Sequence, residues 1–471
     1  MSEAPLLDRY DVAVIGAGPA GMAAASLCAR HGLATVVFDE QPAPGGQIYR
    51  AITTTPVKDR RVLGEDYWSG EKLTRELASS GAQYVPNATV WSLTPELEIG
   101  VSLGGGSKLL TAGHVILATG ALERPFPIPG WTLPGVMTAG AAQTLLKASG
   151  IVPEGRVVLA GTGPLLWLLA WQYQRAGVAV DAILDTTPRA NRARARPHLL
   201  QFLLSPYAVK GIRLLAALRG KVGVIRDVVE LRAEGHDRVR TVSWRRADGT
   251  GGSQPVDTLL LHQGVVPNVN LAMAAGVEHR WDPEQLCWSP LLDRDGETSL
   301  PGISIAGDGA GIGGGQAAAW RGVIIAMAAI RALRPGTKFP AEKLAYTALE
   351  RFMRGRRFLD RLYRPAKPFR IPAGDTIVCR CEEVSAQQIV DAVKLGCPGP
   401  NQMKSFLRCG MGPCQGRLCG LTVTELMAEA RGVSPQEIGY YRLRPPVKPI
   451  TVAELASLPK TEAAVKAVVR V

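Results

Sequence analysis

The sequence predicts an α/β fold in which two parallel-sheet domains are followed by a small helical domain. A strand, a glycine-rich turn and a helix begin at Asp11, and the same order of elements begins again at Arg156. Six of the eight cysteines lie between Cys379 and Cys419. With 471 residues, of which 46% are apolar and 20% charged, the chain can form several globular domains. A disordered or fibrous protein is therefore excluded.

The first domain, assigned to residues 8–150, opens with a β-branched strand at residues 11–15. An Ala-rich helix follows the turn and ends at Gly32. Between a strand and a helix, G-x-G-x-x-G predicts a dinucleotide-binding loop of the Rossmann type, because its glycines permit the turn, the approach of a pyrophosphate and close helix packing. The helix N-terminus attracts the phosphates. The loop residues are Gly16, Gly18, Pro19, Ala20 and Gly21.

Two acidic positions indicate which dinucleotide binds. Asp39 ends the second strand and can accept hydrogen bonds from ribose hydroxyls, with Glu40 as the adjacent alternative. Asp308 follows a later strand at the head of a new helix, where its carboxylate can accept from the ribitol of a flavin. An N-cap is the other interpretation of Asp308. Together these residues favour FAD.

The second domain, residues 151–285, has an incomplete fingerprint. Gly161 and Gly163 are present, but Leu166 occupies the position of the third glycine. Asp185 and the arginines after it are spaced for neither a ribose nor a 2′-phosphate. The pattern therefore predicts a degenerate NAD(P)-binding domain and disfavours NAD(P) binding. Residues 286–340 are assigned to the return of the chain to the FAD domain.

Four motifs together resemble the two-dinucleotide-domain flavoprotein reductases, whose arrangement is that of glutathione reductase. They are GAGPAG, the GGQ after residue 44, the ATG after residue 117 and the late GD, and the resemblance spans residues 10–335. It implies further FAD contacts at Gly45, Gly46, Gln47, Thr119 and Gly120. No cysteine pair lies near the first GG or in the second domain, so disulfide reduction is excluded.

The clustered cysteines predict an iron–sulfur or zinc site in a separate unit, residues 373–435. Cys379 and Cys381 form a C-x-C pair, and Cys414 forms a C-x4-C pair with either Cys409 or Cys419. A capping box, S-x-x-Q at residues 385–388, predicts a helix directly after the first pair. A second helix is expected over residues 421–431.

This unit resembles the bacterioferritin-associated ferredoxin (BFD) type of iron–sulfur domain. The resemblance favours a 2Fe-2S cluster, with zinc or an empty site as alternatives. It implies the ligands Cys379, Cys381, Cys414 and Cys419, because the pair flanking QG is retained in flavoproteins that carry this module. Cys397 and Cys409 are then expected to be small buried residues.

Two further segments have no motif. Residues 341–372 are a basic connector, in which residues 351–370 hold eight basic side chains and one acid, Asp360. Without a nucleic-acid-binding motif, a solvated connector or a surface for an acidic partner is favoured over nucleic acid. The tail, residues 436–471, is not assigned a fold.

The glycine-interrupted run at 12–29 does not predict a membrane span, and without a signal peptide a cytoplasmic location is expected.

Over nearly its full length the chain resembles the A (α) subunits of heteromeric amine-oxidising dehydrogenases. This family includes opine oxidases, hydroxyproline and related amino-acid dehydrogenases, and the B subunit of hydrogen cyanide synthase. The resemblance implies a glycine-oxidase-like β flavoprotein subunit that oxidises a C–N bond, a small third subunit in some members, and a quinone-type acceptor that brings the protein to the inner membrane. Whether FMN binds at a subunit interface is left open by the resemblance.

No residue of this chain is placed as a general base, so no catalytic residue is predicted. The alternative function is a stand-alone NAD(P)H-dependent flavoprotein reductase that passes electrons to a ferredoxin or a small acceptor. Leu166 at the third-glycine position favours the electron-transfer role over the reductase.

Overall fold

The computed structural model describes residues 5–459. Residues 460–471 of the tail lie outside the described residues, so the assignment of 436–471 as a tail is followed only as far as residue 459.

Residues up to 150 form eight strands and five helices. The strands are β1 (Arg9–Ile15), β2 (Thr35–Phe38), β3 (Gln83–Val85), β4 (Thr89–Leu93), β5 (Glu98–Leu103), β6 (Gly106–Leu117), β7 (Ala121–Glu123) and β8 (Val136–Thr138). The helices are α1 (Pro19–Arg30), α2 (Arg60–Leu63), α3 (Glu65–Trp68), α4 (Glu71–Ala78) and α5 (Ala139–Ser149). The uncharged run at 12–29 is thus a strand, a turn and a helix, and Pro19 begins α1, where its missing N–H costs nothing.

The next segment repeats this order with a longer helical insertion. Its strands are β9 (Val157–Thr162), β10 (Ala182–Asp185), β11 (Gly223–Ile225), β12 (Val228–Gly235), β13 (Val239–Arg246), β14 (Gly251–Pro255), β15 (Thr258–Gln263), β16 (Val265–Pro267), β17 (His279–Asp282) and β18 (Cys287–Pro290). Its helices are α6 (Pro164–Arg175), α7 (Arg189–Ala195), α8 (Leu199–Leu203), α9 (Pro206–Leu218) and α10 (Asn270–Ala275), with a 3-10 turn at Arg196–His198.

The remaining chain contains β19 (Ile303–Ile305), a 3-10 turn (Gly307–Ala310) and α11 (Gly315–Leu333). Three helices follow: α12 (Glu342–Met353), α13 (Arg356–Leu362) and α14 (Lys367–Arg370). The C-terminal elements are β20 (Ile377–Cys379), β21 (Val384–Ser385), α15 (Ala386–Lys394), α16 (Pro400–Leu407), α17 (Gly420–Arg431), α18 (Pro435–Ile438) and α19 (Val452–Ala456). Ser385 and Gln388 form the expected capping box at the start of α15.

Two sheets carry the fold. The first has the order β3-β2-β1-β6-β5-β4, with β19 beside β6. Its central strand β1 runs parallel to both of its neighbours, β2 and β6. In this register Val14 is paired with Val37 of β2 and with Ile116 of β6. The second sheet, β11-β10-β9-β15-β8, is parallel throughout. Both place a glycine turn at the carboxyl end of a central strand, which is where such sheets bind ligands.

The domain limits are less simple than the predicted ones. Strand β8 precedes residue 151 and is nevertheless the edge strand of the second sheet. Residues 341–372 form helices, and Phe369 is buried against Phe126, so this connector packs on the second domain instead of being solvated. The exact limits of the six predicted segments stay a prediction.

One apolar core joins the two domains. The cluster that contains Val14 of β1 also contains Leu159 of β9 and Tyr173 of α6. Helix α11 crosses α1 so closely that a Cβ on Gly322 would lie 2.2 Å from the carbonyl oxygen of Ala20. The dinucleotide loop is therefore held between the first sheet and a buried helix.

Candidate functional site

A cavity of about 1360 Å³ lies between the glycine turn of the first domain and helix α6, which follows the glycine turn of the second domain. All the predicted FAD contacts except Gly21 and Gly45 line it. The volume exceeds that of a typical small-ligand pocket, as a dinucleotide requires. No cysteine is among the described residues that line it, which agrees with the exclusion of disulfide reduction.

The two glycines that do not line the cavity shape the loops around it. A Cβ on Gly21 would lie 1.8 Å from the carbonyl oxygen of Gly16, so Gly21 permits α1 to pack on the turn. A Cβ on Gly45 would lie 2.1 Å from the carbonyl oxygen of Tyr49. By contrast, a Cβ on Gly18 would have no protein atom nearer than 3.8 Å, so this glycine keeps the cavity open for a ligand. The cradle thus fits a dinucleotide.

Asp39 lies at the end of β2 and is held by the backbone. Its Oδ2 accepts from the Ala17 N–H at 2.6 Å and its Oδ1 from the Gln41 N–H at 2.8 Å. Burial raises the pKa of Asp39, while these two N–H groups act in the opposite direction. A carboxylate has further acceptor positions, so the loop orients Asp39 and leaves it able to bind a ribose.

Arg50 is a cavity residue that the sequence analysis missed. It lines the cavity, and its buried Nε has no hydrogen-bond partner among the described residues. Burial lowers the pKa of Arg50, and the neighbouring Asp39 and Glu40 oppose that shift. An unpaired buried guanidinium N–H is costly, so this position fits an anionic or polar ligand group. The only local signal was its place three residues after GGQ.

Asp308 lies in the 3-10 turn before α11. Its Oδ1 accepts from the Gly313 N–H at 2.8 Å and from the Gly314 N–H at 2.9 Å. The residue lines the cavity, so its second oxygen remains for a ligand hydroxyl. Asp308 thus organises the turn before α11 and faces the cavity, whereas the N-cap residue of that helix is Gly314. Its contact with the flavin stays a prediction.

The helix that follows the second glycine turn lines the same cavity as the first turn. Leu166 is buried in α6, whereas Pro164, Leu165 and Trp167 of the same helix line the FAD-type cavity. Asp185 accepts from the N–H of Thr187 in its own loop at 2.9 Å. Burial raises the pKa of Asp185. The carboxylate of Asp185 is thus oriented by its own loop, as that of Asp39 is.

A carboxylate–imidazole pair connects the domains at the cavity wall. Glu123 lines the cavity, and its Oε1 lies 2.6 Å from Nδ1 of the buried His262 in β15. Both Glu123 oxygens also accept from the Gly140 N–H at the start of α5, where an anion is favoured. Sequence reasoning missed this pair because the two residues are separated by 139 positions.

Five of the six clustered cysteines converge in the C-terminal unit. The thiols of Cys379, Cys409 and Cys419 are buried and lie within 4.8 Å of one another. Cys414 is in hydrogen-bond contact with both Cys419 and the exposed Cys381. Cys397 is separate, and its thiol faces the Gly399 carbonyl oxygen at 3.6 Å. Cys409 is buried, as expected, and it also lies within this group.

The group has the chemistry of a metal–sulfur site. Hydrogen bonds from Cys409 and Cys419 hold the pKa of Cys379 far below its ordinary value, and contact with Cys419 lowers the pKa of Cys414. The same contacts raise the pKa of Cys409 and of Cys419, so negative charge is favoured on Cys379 and Cys414. Five converging thiols fit an iron–sulfur cluster or zinc. The choice of Cys379, Cys381, Cys414 and Cys419 over sets that include Cys409 stays a prediction.

The thiol group lies beside the cavity. Arg417, inside the C-x4-C segment, lines the cavity and donates to the Val447 carbonyl oxygen at 2.9 Å. The Asn270 side chain of α10 donates to the Gln415 carbonyl oxygen at 2.9 Å. Lys448 pairs with Glu40 at 2.7 Å, and both line the cavity. The cysteine-rich unit and the following segment thus close one end of the cavity.

Among residues 5–459, α11 (Gly315–Leu333) is by itself long and apolar enough to be considered as a membrane span, and Arg189–Leu203 with Pro206–Leu218 passes the same test only as one bent pair. Half of the apolar window of α11 is buried inside the protein, where it contacts α1. A core helix has the same composition, so α11 is no sign of a spanning segment.

The fold and the cavity define the class of this protein, a two-domain nucleotide-binding oxidoreductase. Residues 10–331 match the family described as pyridine nucleotide-disulphide oxidoreductase, and residues 373–458 match the sarcosine oxidase A3 domain. Membership of this class supports FAD as the nucleotide in the cavity.

Two similar proteins identify the family within this class. The A subunit of opine oxidase from Agrobacterium tumefaciens is 49% identical over 98% of this chain and 94% of its own length. The HcnB subunit of hydrogen cyanide synthase from Pseudomonas aeruginosa is 32% identical over 94% of this chain and 98% of its own. The chain therefore belongs to the family of the opine oxidase A subunits, as its motifs predicted.

A solved structure supports the fold. L-proline dehydrogenase from P. horikoshii superposes with a TM-score of 0.70 at 20% identity, covering 96% of this chain and 81% of that chain. The α/β fold class predicted from the sequence is thus confirmed.

Proposed function

We propose that this chain is the FAD- and 2Fe-2S-containing electron-transfer subunit of a heteromeric dehydrogenase. The complex would oxidise the C–N bond of an opine or amino acid of the octopine, nopaline or hydroxyproline type on a β flavoprotein subunit. The names of the relatives, subunits of opine oxidase and of hydrogen cyanide synthase, support a multi-subunit oxidoreductase. A small third subunit, an interfacial FMN and a quinone acceptor belong to the same proposal.

The observation that carries the proposal is the junction of the two candidate centres. Arg417 belongs to the segment between Cys414 and Cys419 and also lines the cavity. When bound, FAD supplies two-electron acceptance and the iron–sulfur cluster supplies one-electron transfer. This chain would hold the two groups side by side and orient them through Asp39, Asp308 and the thiols.

The alternative is a reductase that draws electrons from NAD(P)H. It is supported by the second glycine turn, whose helix α6 lines the same cavity. Against it stands Leu166, which is buried at the third-glycine position.

Anaerobic mixing with NADH and with NADPH separates the two functions. We expect the flavin absorbance of the purified chain to remain, whereas the complex with its β subunit bleaches on adding the opine or amino acid. Rapid stoichiometric bleaching of the chain alone by either nucleotide would contradict the electron-transfer function within a complex and support the reductase.

A further inference from the structure

An apolar face on the helical insertion of the second domain has no cover among the described residues. Helices α7 and α8 run from Arg189 to Leu203, and α9 leaves them at a bend of 110°. We call residues 189–221 the basic hairpin. Seven of its large aliphatic side chains are between 40% and 69% exposed: Leu199, Leu200, Leu203, Leu204, Val209, Ile212 and Leu215. An apolar patch of this size on a surface marks an interaction site.

The exposed side chains follow helical spacing. Val209, Ile212 and Leu215 are three residues apart, so they lie on one side of α9. Ala208 and Leu218 of the same helix are buried. Lys210 and Arg213 are also exposed on α9, and Arg213 is four residues after Val209, so the open side of the helix is an aliphatic strip bordered by cations.

The charge of the hairpin has a single sign. Residues 189–221 contain eight Arg or Lys and no Asp or Glu, and all eight basic side chains are exposed. Arg189 pairs with Asp227 and Lys210 with Asp66. The other six form no ion pair within residues 5–459. These exposed cations would complement an anionic partner surface.

The neighbouring connector extends this positive surface. Phe358 of α13 stacks on Phe202 of α8 with ring centroids 4.5 Å apart. Arg351, Arg354 and Arg357, just before and within α13, are exposed. The basic segment seen in the sequence thus lies next to the hairpin, and the aliphatic face is flanked by cations from two parts of the chain.

We propose that the basic hairpin docks the protein on an anionic phospholipid bilayer, with α9 in the interface plane. An aliphatic face with Lys and Arg at its borders is the pattern of interfacial helices that bind anionic lipids. A second copy of the chain would bring like charges together. Protein interfaces are enriched in aromatic side chains and Met, whereas the seven exposed residues are all Leu, Ile or Val.

Docking in this orientation places the cavity opening on the bilayer. Ile212 and Leu215 of the exposed face also line the cavity, as do the partly exposed Ile48 and Leu145. An apolar molecule dissolved in the bilayer would therefore reach the cavity without crossing water. The entry of such a molecule rests on the proposed function, which includes a quinone acceptor, whereas vesicle binding by the basic hairpin is measured without any electron transfer.

Sedimentation of the purified full chain with vesicles tests the proposal. We expect binding to phosphatidylcholine vesicles that contain phosphatidylglycerol, weaker binding to phosphatidylcholine alone, and a loss of binding as salt is raised. The double variant Leu200→Glu with Leu204→Glu should weaken binding at least about tenfold, as expected for losing the burial of one leucine. Neither residue lines the cavity, so flavin content should not change.

Leu344→Glu is the matched control, because Leu344 of α12 is 62% exposed, close to the 69% and 63% of Leu200 and Leu204. It should bind vesicles as the unmodified chain does. The proposal is overturned if the unmodified chain binds neither vesicle, or if Leu344→Glu weakens binding equally. It is also overturned if the Leu200→Glu and Leu204→Glu variant keeps vesicle binding but loses a co-expressed β subunit. Bleaching of the flavin by NADH or NADPH, measured in the same samples, tests the proposed function separately from vesicle binding.

Discussion

His114 shows at the scale of one residue how burial makes the fold sensitive to acid. It lies in β6, 3% exposed, with Nε2 2.8 Å from the Ser304 hydroxyl of β19. Burial lowers the pKa of His114 to about 4, from 6.5 for a free histidine. The folded protein therefore keeps this imidazole neutral while the unfolded chain takes up a proton.

Because the folded pKa is the lower one, the free energy of unfolding should fall as the pH drops from 6.5 towards 4. At pH 5 the loss from His114 is about 2 kcal/mol. We expect His114→Gln to reduce the decrease in unfolding temperature between pH 7 and pH 5. His236→Gln, at an exposed histidine, is the control and should leave the decrease unchanged. An equal decrease in the unmodified protein and His114→Gln would contradict the assignment.

Cys409 lies close to the predicted cluster ligands but is not predicted to bind the cluster itself. It lies with Cys379 and Cys419 in the buried thiol group, yet the family resemblance leaves it out of the ligand set. We expect Cys414→Ser to lose most of the iron and visible absorption, and Cys409→Ser to keep both. Cys397→Ser, whose thiol is outside the group, is the control. Iron loss in Cys409→Ser with iron retained in Cys414→Ser would show that the ligand set contains Cys409 instead.

The residues that sequence could predict are those whose role is local. Gly18, Asp39 and Asp308 lie in short motifs next to strand ends, so their spacing identifies them. The contact between Glu123 and His262 could not be predicted, because only tertiary folding brings the two residues together. The position of Cys409 likewise depends on how the loop before Cys414 folds. No spacing rule contains that information.

The strand–turn–helix element of the first domain uses its glycines for two different purposes. A side chain at Gly21 would collide with the backbone of Gly16 at 1.8 Å, whereas one at Gly18 has space and would enter the cavity. We therefore expect Gly21→Ala to lower the unfolding temperature by displacing α1. Gly18→Ala should keep the unfolding temperature of the flavin-free protein and weaken FAD binding.

Flavin content after purification, together with melting of the flavin-free protein, separates these effects. Gly18→Ala and Gly21→Ala serve as controls for each other because they are in the same turn. If Gly18→Ala destabilised the flavin-free protein as much as Gly21→Ala, the glycine at 18 would have a packing role and the predicted pyrophosphate approach would lose its support.

Elements were predictable where hydrophobic pattern and caps agree, as in β1, α1 and α15. The basic connector was not, because its charge suggests a solvated segment while its apolar residues are spaced irregularly. Phe358 and Phe369 find their partners Phe202 and Phe126 only in the folded protein. Strand β8 was missed for a related reason, since three residues carry too little pattern to reveal a sheet edge.

At the scale of the whole molecule, the cysteine-rich unit is attached by contacts that are distant in sequence. The Trp131 indole donates to the Ile377 carbonyl oxygen at 2.7 Å. Val447 donates to the Trp91 carbonyl oxygen at 2.9 Å. Arg370 of α14 pairs with Glu425 of α17, with side-chain exposures of 12% and 4%. These contacts would keep the two proposed centres close enough for electron transfer.

The buried pair of Arg370 and Glu425 should therefore control how firmly the unit is held. Burial lowers the pKa of Arg370 to about 10, which shows how poorly this site is solvated. Arg370→Met would leave Glu425 buried without its partner, at a cost of about 3–5 kcal/mol. We expect a lower unfolding temperature and faster proteolytic release of the unit.

The double variant Arg370→Met with Glu425→Leu should recover most of that loss, because replacing both charges by apolar side chains removes the desolvation cost. Lys367→Met is the matched control. Lys367 pairs with Glu429 on the same two helices, but these side chains are 60% and 50% exposed, so the effect should be below about 1 kcal/mol. Equal destabilisation by Arg370→Met and Lys367→Met would mean that burial of the pair does not hold the unit. A double variant no more stable than Arg370→Met would instead show that the charges themselves are needed at this junction.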